Sequence, residues 1–242
     1  MGRTDCGRVR RRNEDRVAAD VDLGAGIVAD GMGGLRDGHI ASRKAVAAVM
    51  AHLRRSGAAA SGETAAQYLL AALAAANEQV HRAALSGTGL MGTTAVAALL
   101  GPDGRGAVAH VGDSRAYHLR GETLIPLTRD HSVVQELQDD GLLDAAQARR
   151  SPQRNIITRA IGLKAELRAD SVTLHLAPGD LLLLCSDGLW DMLEDSRIKA
   201  LLVQCLAGSA GLAACAEALI DAANEAGGMD NISVVLARTP PA

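Results

Sequence analysis

Between residues 93 and 127 four strand-sized segments follow one another: TTAVAALL (93–100), GAVAHVG (106–112), RAYHLR (115–120) and TLIPL (123–127). Only short turns separate them. Parallel neighbours need a crossover of a dozen or more residues, so a run this tight reads as an antiparallel meander. Further strand candidates are 24–30, SVTLHL (171–176), DLLLLCSD (180–187) and ISVVLAR (232–238). Helical periodicity marks Ile40 to Ser56, Glu63 to Leu85 with Ser61 as N-cap, and Leu212 to Ala226, closed by Gly227-Gly228. A shorter helix is expected from Ser132 to Asp140, followed by an acid-capped helix start at Asp144-Ala-Ala-Gln147. Strands in runs and helices in pairs predict an α+β fold: two antiparallel sheets with helices outside. The segment 128–164 has little strand signal but is too rich in helix formers for a linker. It reads as an insertion over one end of a single domain spanning 1–242.

The 242 residues are 48 % apolar, mostly Ala, Leu and Val, enough to bury a sizeable core. Phe is absent, and Trp190, Tyr68 and Tyr117 are the only other large aromatics. Single-stranded nucleic acid would find almost no stacking platform, and a net charge of −3 offers no electrostatic case for nucleic acid or a membrane surface. The four cysteines, at 6, 185, 205 and 215, form no CxxC pair, and the seven histidines are dispersed. That pattern fits reduced thiols of a cytoplasmic protein. No apolar run is long enough to cross a bilayer, and the polar N-terminus does not resemble a signal peptide.

Carboxylates recur at strand ends. Asp30 follows IVA in IVADGMGG, and Asp187 follows LLLLCS and precedes Gly188. Asp113 lies just past a strand in AHVGDSR, Asp230 just ahead of one in GGMDNISVVL, and Glu14 and Asp15 precede the first strand in RRRNEDR. An Asp-Gly pair is a common turn, and several such turns can lie at opposite ends of a sheet and never meet. If instead they converge, the carboxylates repel one another unless a cation sits between them. Oxygen ligands without His or Cys point to Mg²⁺ or Mn²⁺, and two such ions would acidify a water at neutral pH.

The blocks VRRRNED, VADGMGG, MGTTAVAALL, VAHVGDSRAYHLR, LTRDHSVVQEL, RNIITRAIG, LLLLCSDGLWDML and DNISVVL occur in this order. Their order and spacing resemble the metal-dependent serine/threonine protein phosphatases of type 2C, in their compact bacterial form. The resemblance runs from about residue 4 to 238. It implies a four-layer α-β-β-α sandwich with a dinuclear metal centre at one end of the sheets. It implies that Asp30 bridges two core ions, that the Gly31 carbonyl ligates one, and that Asp187 and Asp230 complete the core set. Asp15 matches an acidic position of the centre, and Glu14 one acting through metal-bound water. Asp113 matches the position that helps hold a weaker third ion. Arg10, five residues before Asp15, matches the arginine that binds the substrate phosphate, although the basic run Arg8, Arg10, Arg11, Arg12 also reads as a solvated segment. Residues 131 to 160 match a variable flap beside the active site; His131, Asn155 and Arg159 fall in its recognisable parts.

The resemblance has departures. Met32 stands where many eukaryotic relatives carry a histidine, and a thioether has no proton to donate. His39 reads as a surface residue at a helix start. The chain begins close to its first motif, where relatives have a longer edge strand. The expected activity is hydrolysis of phosphoserine or phosphothreonine on proteins, opposing a bacterial Ser/Thr kinase, by a monomer using Mn²⁺ or Mg²⁺. Cys185, in an apolar strand, is not expected to be a nucleophile. The rival readings are a pseudophosphatase that binds phosphoproteins without turnover and a hydrolase of small phosphate esters.

Overall fold

The computed structural model describes residues 1–32, 37–56, 62–86, 90–208 and 211–239. In chain order the elements are β1 (Gly2–Asp5), β2 (Arg16–Asp20), β3 (Ala25–Ala29), α1 (Gly38–Arg55), α2 (Glu63–Ser86), β4 (Ala95–Leu100), β5 (Arg105–Val111), β6 (Arg115–Arg120) and β7 (Thr123–Pro126). They continue with α3 (Val133–Asp139), α4 (Ala145–Arg150), β8 (Asp170–His175), β9 (Leu181–Cys185), α5 (Asp187–Trp190), α6 (Asp195–Ala207), α7 (Leu212–Glu225) and β10 (Ile232–Arg238). The proposed N-cap Ser61 and the glycines Gly33 and Gly34 lie outside the described residues.

The strands form two five-stranded sheets, in the orders β1-β10-β9-β6-β7 and β2-β3-β4-β5-β8. All neighbouring pairs are antiparallel. The α1–α2 pair covers the second sheet, and α6 and α7 cover the first. The result is the expected α-β-β-α sandwich. It explains why the inner strands read as unbroken apolar runs despite antiparallel pairing: both faces of each sheet are covered. In β9, Leu181, Leu183 and Cys185 enter the core under the helices, while Leu182 and Leu184 enter the seam between the sheets. β3 divides in the same way, with Ile27 and Ala29 towards α1 and α2 and Val28 in the seam.

Three features differ from the sequence reading. The strand run at 93–127 is not one meander. β4 and β5 belong to one sheet and β6 and β7 to the other, so the chain changes sheets at Gly112-Asp113-Ser114. Gly112 makes that corner with φ of 94°, which disfavours any residue with a Cβ. The helix α6 was not anticipated, although Ile198, Leu201, Leu202 and Cys205 repeat at helical spacing. The Ala-rich β2 was also missed. β1 is short: Gly2 pairs with Val235, and the Met1 amine donates to the Leu236 carbonyl at 2.8 Å. At 145–150 the capping box is complete, with Asp144 and Gln147 bonding reciprocally. Among the described residues no helix is long and apolar enough to cross a membrane.

The fully buried β9 leucines make a simple stability test. Leu183→Ala should lower the unfolding free energy by about 3 kcal/mol, from lost transfer energy plus a residual cavity. Val21→Ala, at a side chain 90 % exposed, should stay within about 0.5 kcal/mol of wild type in the same urea titrations.

Candidate metal centre

Strand register brings the acids together. In the β2–β3 pair Arg16 faces Ala29, so one step further along the same ladder sets Asp15 opposite Asp30. In the other sheet Val234 faces Cys185, and the ladder continues through Ser186 N–H to the Ser233 carbonyl at 3.1 Å. Asp187 and Asp230 therefore leave the same end of β9 and β10. Asp113 sits on the sheet-to-sheet corner between β5 and β6. All five aspartates gather at one end of the seam.

Asp30 is near enough to Asp15, Asp187, Asp113 and Asp230 to feel the charge of all four. A cleft of about 440 Å³ is lined by Asp30, Asp113, Asp187, Asp230, Glu14 and the Gly31 backbone, among others. Asp15 is buried behind it. A larger cavity, about 740 Å³, opens at the opposite ends of the strands, but it is mainly apolar, between Ala98, Leu100, Leu182 and Leu184. Chemistry rather than size marks the functional end.

The acids strain against one another. Removal from water, then repulsion from Asp15, Asp187, Asp113 and Asp230, pushes the Asp30 carboxyl well above the ordinary carboxylate range. Burial raises Asp15 to about 7 and, with Asp230 adding repulsion, Asp187 to about 6. Asp113 is raised by burial and then by Asp187 and Asp130. Asp15 Oδ1 and Asp187 Oδ1 are buried and have no hydrogen-bond partner. Among the described residues no three His, Cys, Asp or Glu side chains are gathered closely enough to hold one ion by themselves. The arrangement suits small hard cations that take one or two carboxylates each and keep water in their other positions, as Mg²⁺ does. Orphaned oxygens, mutual repulsion and an all-oxygen donor set make the residues present fit such ions.

The other expected residues fall around this pit. Arg10 Nη2 donates to Asp230 Oδ2 at 2.6 Å, and that hydrogen bond raises the Arg10 pKa. Gly31 is glycine for a reason the sequence did not disclose. A Cβ there would collide with the Gly38 and Glu14 backbone carbonyls, so the residue is fixed by two passing chain segments. The Glu14 carbonyl accepts from Ser42 Oγ at 2.5 Å and from Gly31 N–H at 3.3 Å. Met32 lines the cleft. His39 turns to Arg12 Nη1, 3.2 Å from its Nδ1, and lies 3.9 Å from Glu14 Oε1. Cys185 is fully buried and its thiol pKa is raised, the opposite of an activated nucleophile.

Several supporting residues escaped the sequence reading. Ser186 Oγ donates to Asp15 Oδ2 at 2.8 Å and accepts from Ser233 N–H at 3.0 Å. Asn231 pins the arginine-bearing loop: its Nδ2 donates to the Cys6 and Arg12 carbonyls at 2.9 and 3.0 Å, and its Oδ1 accepts from Glu14 N–H at 2.8 Å. Trp190 Nε1 donates to the Asp113 carbonyl at 3.0 Å, and the Arg115 guanidinium stacks on its ring. The segment 131–160 is fastened at its ends. His131 accepts from Gly112 N–H at 3.2 Å, which leaves Nε2–H to face Asp170 Oδ2 at 3.1 Å, and Arg159 reaches the other Asp170 oxygen. Thr158 N–H donates to the His131 carbonyl at 2.7 Å, and Ser132 bridges Ile157. Asn155 and Ile157 form a wall of the cleft. Only Asn231 carries a sequence hint, through its place beside Asp230.

The protein-family model described as Protein phosphatase 2C matches residues 6–216. The serine/threonine phosphatase stp of Listeria welshimeri is 38 % identical over 239 residues, which is 97 % of this chain and 93 % of that protein. The crystal structure of the Mycobacterium tuberculosis serine/threonine phosphatase PstP/Ppp superposes with a TM-score of 0.87 at 35 % identity, covering 99 % of this chain and 97 % of the other. The catalytic domain of the serine/threonine protein phosphatase PstP in complex with two manganese ions superposes with a TM-score of 0.83 at 34 % identity, covering 98 % and 95 %.

The raised carboxylates give a pH signature. In the metal-free folded chain they retain protons that an unfolded aspartate releases near about pH 4. Their contribution to stability therefore falls as pH rises from there to about 7, the folded Asp15 value. Ions that bind the deprotonated acids should cancel this loss. Thermal melts in EDTA and in Mn²⁺ should show a larger Mn²⁺-induced rise at pH 8 than at pH 5. Equal rises would mean the cluster is not where the ion binds.

Proposed function

The chain belongs to the protein phosphatase 2C family, and from that membership we propose how its residues divide the work of dephosphorylating proteins. It is a metal-dependent serine/threonine protein phosphatase, a phosphoric monoester hydrolase. The reading of its site is carried by one observation: Asp30 is repelled at once by Asp15, Asp187, Asp113 and Asp230, and Asp15 Oδ1 and Asp187 Oδ1 are buried without partners. Asp30 would be shared by two ions, with Asp15, Asp187, Asp230 and the Gly31 carbonyl as the remaining core donors and Glu14 behind them. Asp113 would serve a weaker third ion, a role supported by its burial on the rigid Gly112 corner. When bound, Mn²⁺ or Mg²⁺ supplies Lewis acidity and a water acidified enough to attack phosphorus at neutral pH.

Arg10 binds the substrate phosphate. Its planar fork can donate two parallel hydrogen bonds to phosphate oxygens, which fixes orientation as well as charge. Asn231 holds the backbone on which Arg10 is mounted, so the fork is presented rather than recruited. Met32 gives no proton, and His39 faces Arg12 and Glu14. Among the described residues the cleft lining holds no imidazole, phenol or thiol. The leaving alkoxide of serine or threonine accordingly takes its proton from water or a carboxyl of the cleft.

The physiological setting goes further by analogy. The substrates are phosphoproteins, among them a serine/threonine kinase that this enzyme opposes, and it acts as a cytoplasmic monomer. Residues 1–242 form one catalytic domain, with 131–160 as a flap over the cleft.

Purified protein should hydrolyse p-nitrophenyl phosphate in Mn²⁺ and lose that activity in EDTA. Asp187→Asn should reduce kcat at least about 100-fold while leaving the far-UV spectrum intact. Arg10→Ala should raise KM about tenfold or more. Turnover that survives chelation would reject the mechanism.

A further inference from the structure

Three consecutive arginines, Arg10, Arg11 and Arg12, line the cleft, and the phosphatase reading uses only Arg10. Arg12 is turned to His39. Arg11 lines the same cleft as Asp30 and Asp187, yet among the described residues it makes no ion pair or side-chain hydrogen bond. No side chain outside the described residues is acidic. A solvated basic run would explain an unpaired arginine, but this segment is not loosely held. Asn231 ties the carbonyls of Cys6 and Arg12, Arg8 N–H donates to the Gly228 carbonyl at 2.7 Å, and Cys6 Sγ donates to the Arg10 carbonyl at 3.3 Å. A pinned loop thus carries a cation with no ion pair among the described residues into the wall of an active-site cleft, next in sequence to the phosphate-binding arginine.

We propose that Arg11 is a specificity-determining residue that selects phosphoserine or phosphothreonine substrates bearing a second anionic group nearby. The inference rests on the phosphatase reading. Adjacent Cα atoms are about 3.8 Å apart, and an extended substrate advances about 3.3–3.6 Å per residue. A guanidinium beside Arg10 therefore meets a side chain one to three residues from the phosphorylated one. Carboxylate and phosphate both suit it. Arg154, on the 131–160 segment, is already engaged with Asp191 at 3.4 Å, and Arg159 with Asp170, so neither competes for that anion.

The test compares kcat/KM on three peptides built around one phosphothreonine, flanked by alanines, by glutamates, or by a non-hydrolysable phosphonate analogue of phosphoserine. Wild type in Mn²⁺ should prefer the glutamate peptide, the phosphonate peptide or both over the alanine peptide by about fivefold or more, the size expected of one partly exposed ion pair. Whichever peptide is preferred identifies the anion. Arg11→Gln should bring the ratio to about one, and raising the salt concentration should shrink the wild-type ratio, which a steric preference would not do. Equal kcat/KM for all three peptides in wild type, or a preference that Arg11→Gln leaves intact, overturns the proposal while leaving the phosphatase reading standing. No hydrolysis of any peptide or of p-nitrophenyl phosphate in Mn²⁺ overturns the phosphatase reading itself, and this inference with it.

Discussion

Five aspartates crowded at one end of an inter-sheet seam are the constraint to which the rest of this protein answers. Like charges removed from water destabilise a fold unless protons or cations accompany them. The architecture tolerates the crowding by tying three of the acids to neighbours: Asp15 to Ser186, Asp113 to Trp190 through its carbonyl, and Asp230 to Arg10. The antiparallel ladders are what make the crowding possible. Two hairpin-like pairs, β2–β3 and β9–β10, each end in acids on the same side, and the sandwich sets those ends face to face.

Much of this was legible in the sequence because local signals and chemistry agreed. An apolar strand stopping at Asp-Gly occurs twice, at Asp30 and Asp187, and both acids reach the centre. The Asp144–Gln147 spacing announced a capping box that is complete. The illegible parts depend on tertiary pairing. Nothing local at Gly112-Asp113-Ser114 distinguishes a hairpin turn from a change of sheet, so the run at 93–127 read as one meander. Ser186 and Asn231 look like ordinary strand-edge polar residues until the distant chain segments they bond are known. The crowding of Gly31 by the backbones of Glu14 and Gly38 is invisible for the same reason. In α6 the apolar spacing was present but short, and in β2 Ala18 and Ala19 carry little strand preference.

The cleft combines two electrostatic regimes within a few residues. Its floor is acidic and withdrawn from water, where charges interact strongly; its rim is basic and half solvated, where interactions are weaker and screened. Arg10 spans the two, bonded to Asp230 below and open to the cleft above. On the proposed reading that division separates holding ions from recognising a phosphorylated chain, with the Arg10–Asp230 bond coupling the two.

The fastening of the 131–160 segment has an evolutionary corollary. Its roots, His131 with Thr158 and Ser132 with Ile157, are bonded to each other and to Gly112 and Asp170, so the entry and exit of the chain are set independently of what lies between. The interior, α3 and α4, can change like an interchangeable cartridge at modest cost, since it meets the scaffold through exposed or half-exposed ion pairs such as Arg149 with Glu194 and Arg154 with Asp191. Diversification of such enzymes towards new target proteins can then proceed by swapping that insert while the buried aspartate cluster stays put.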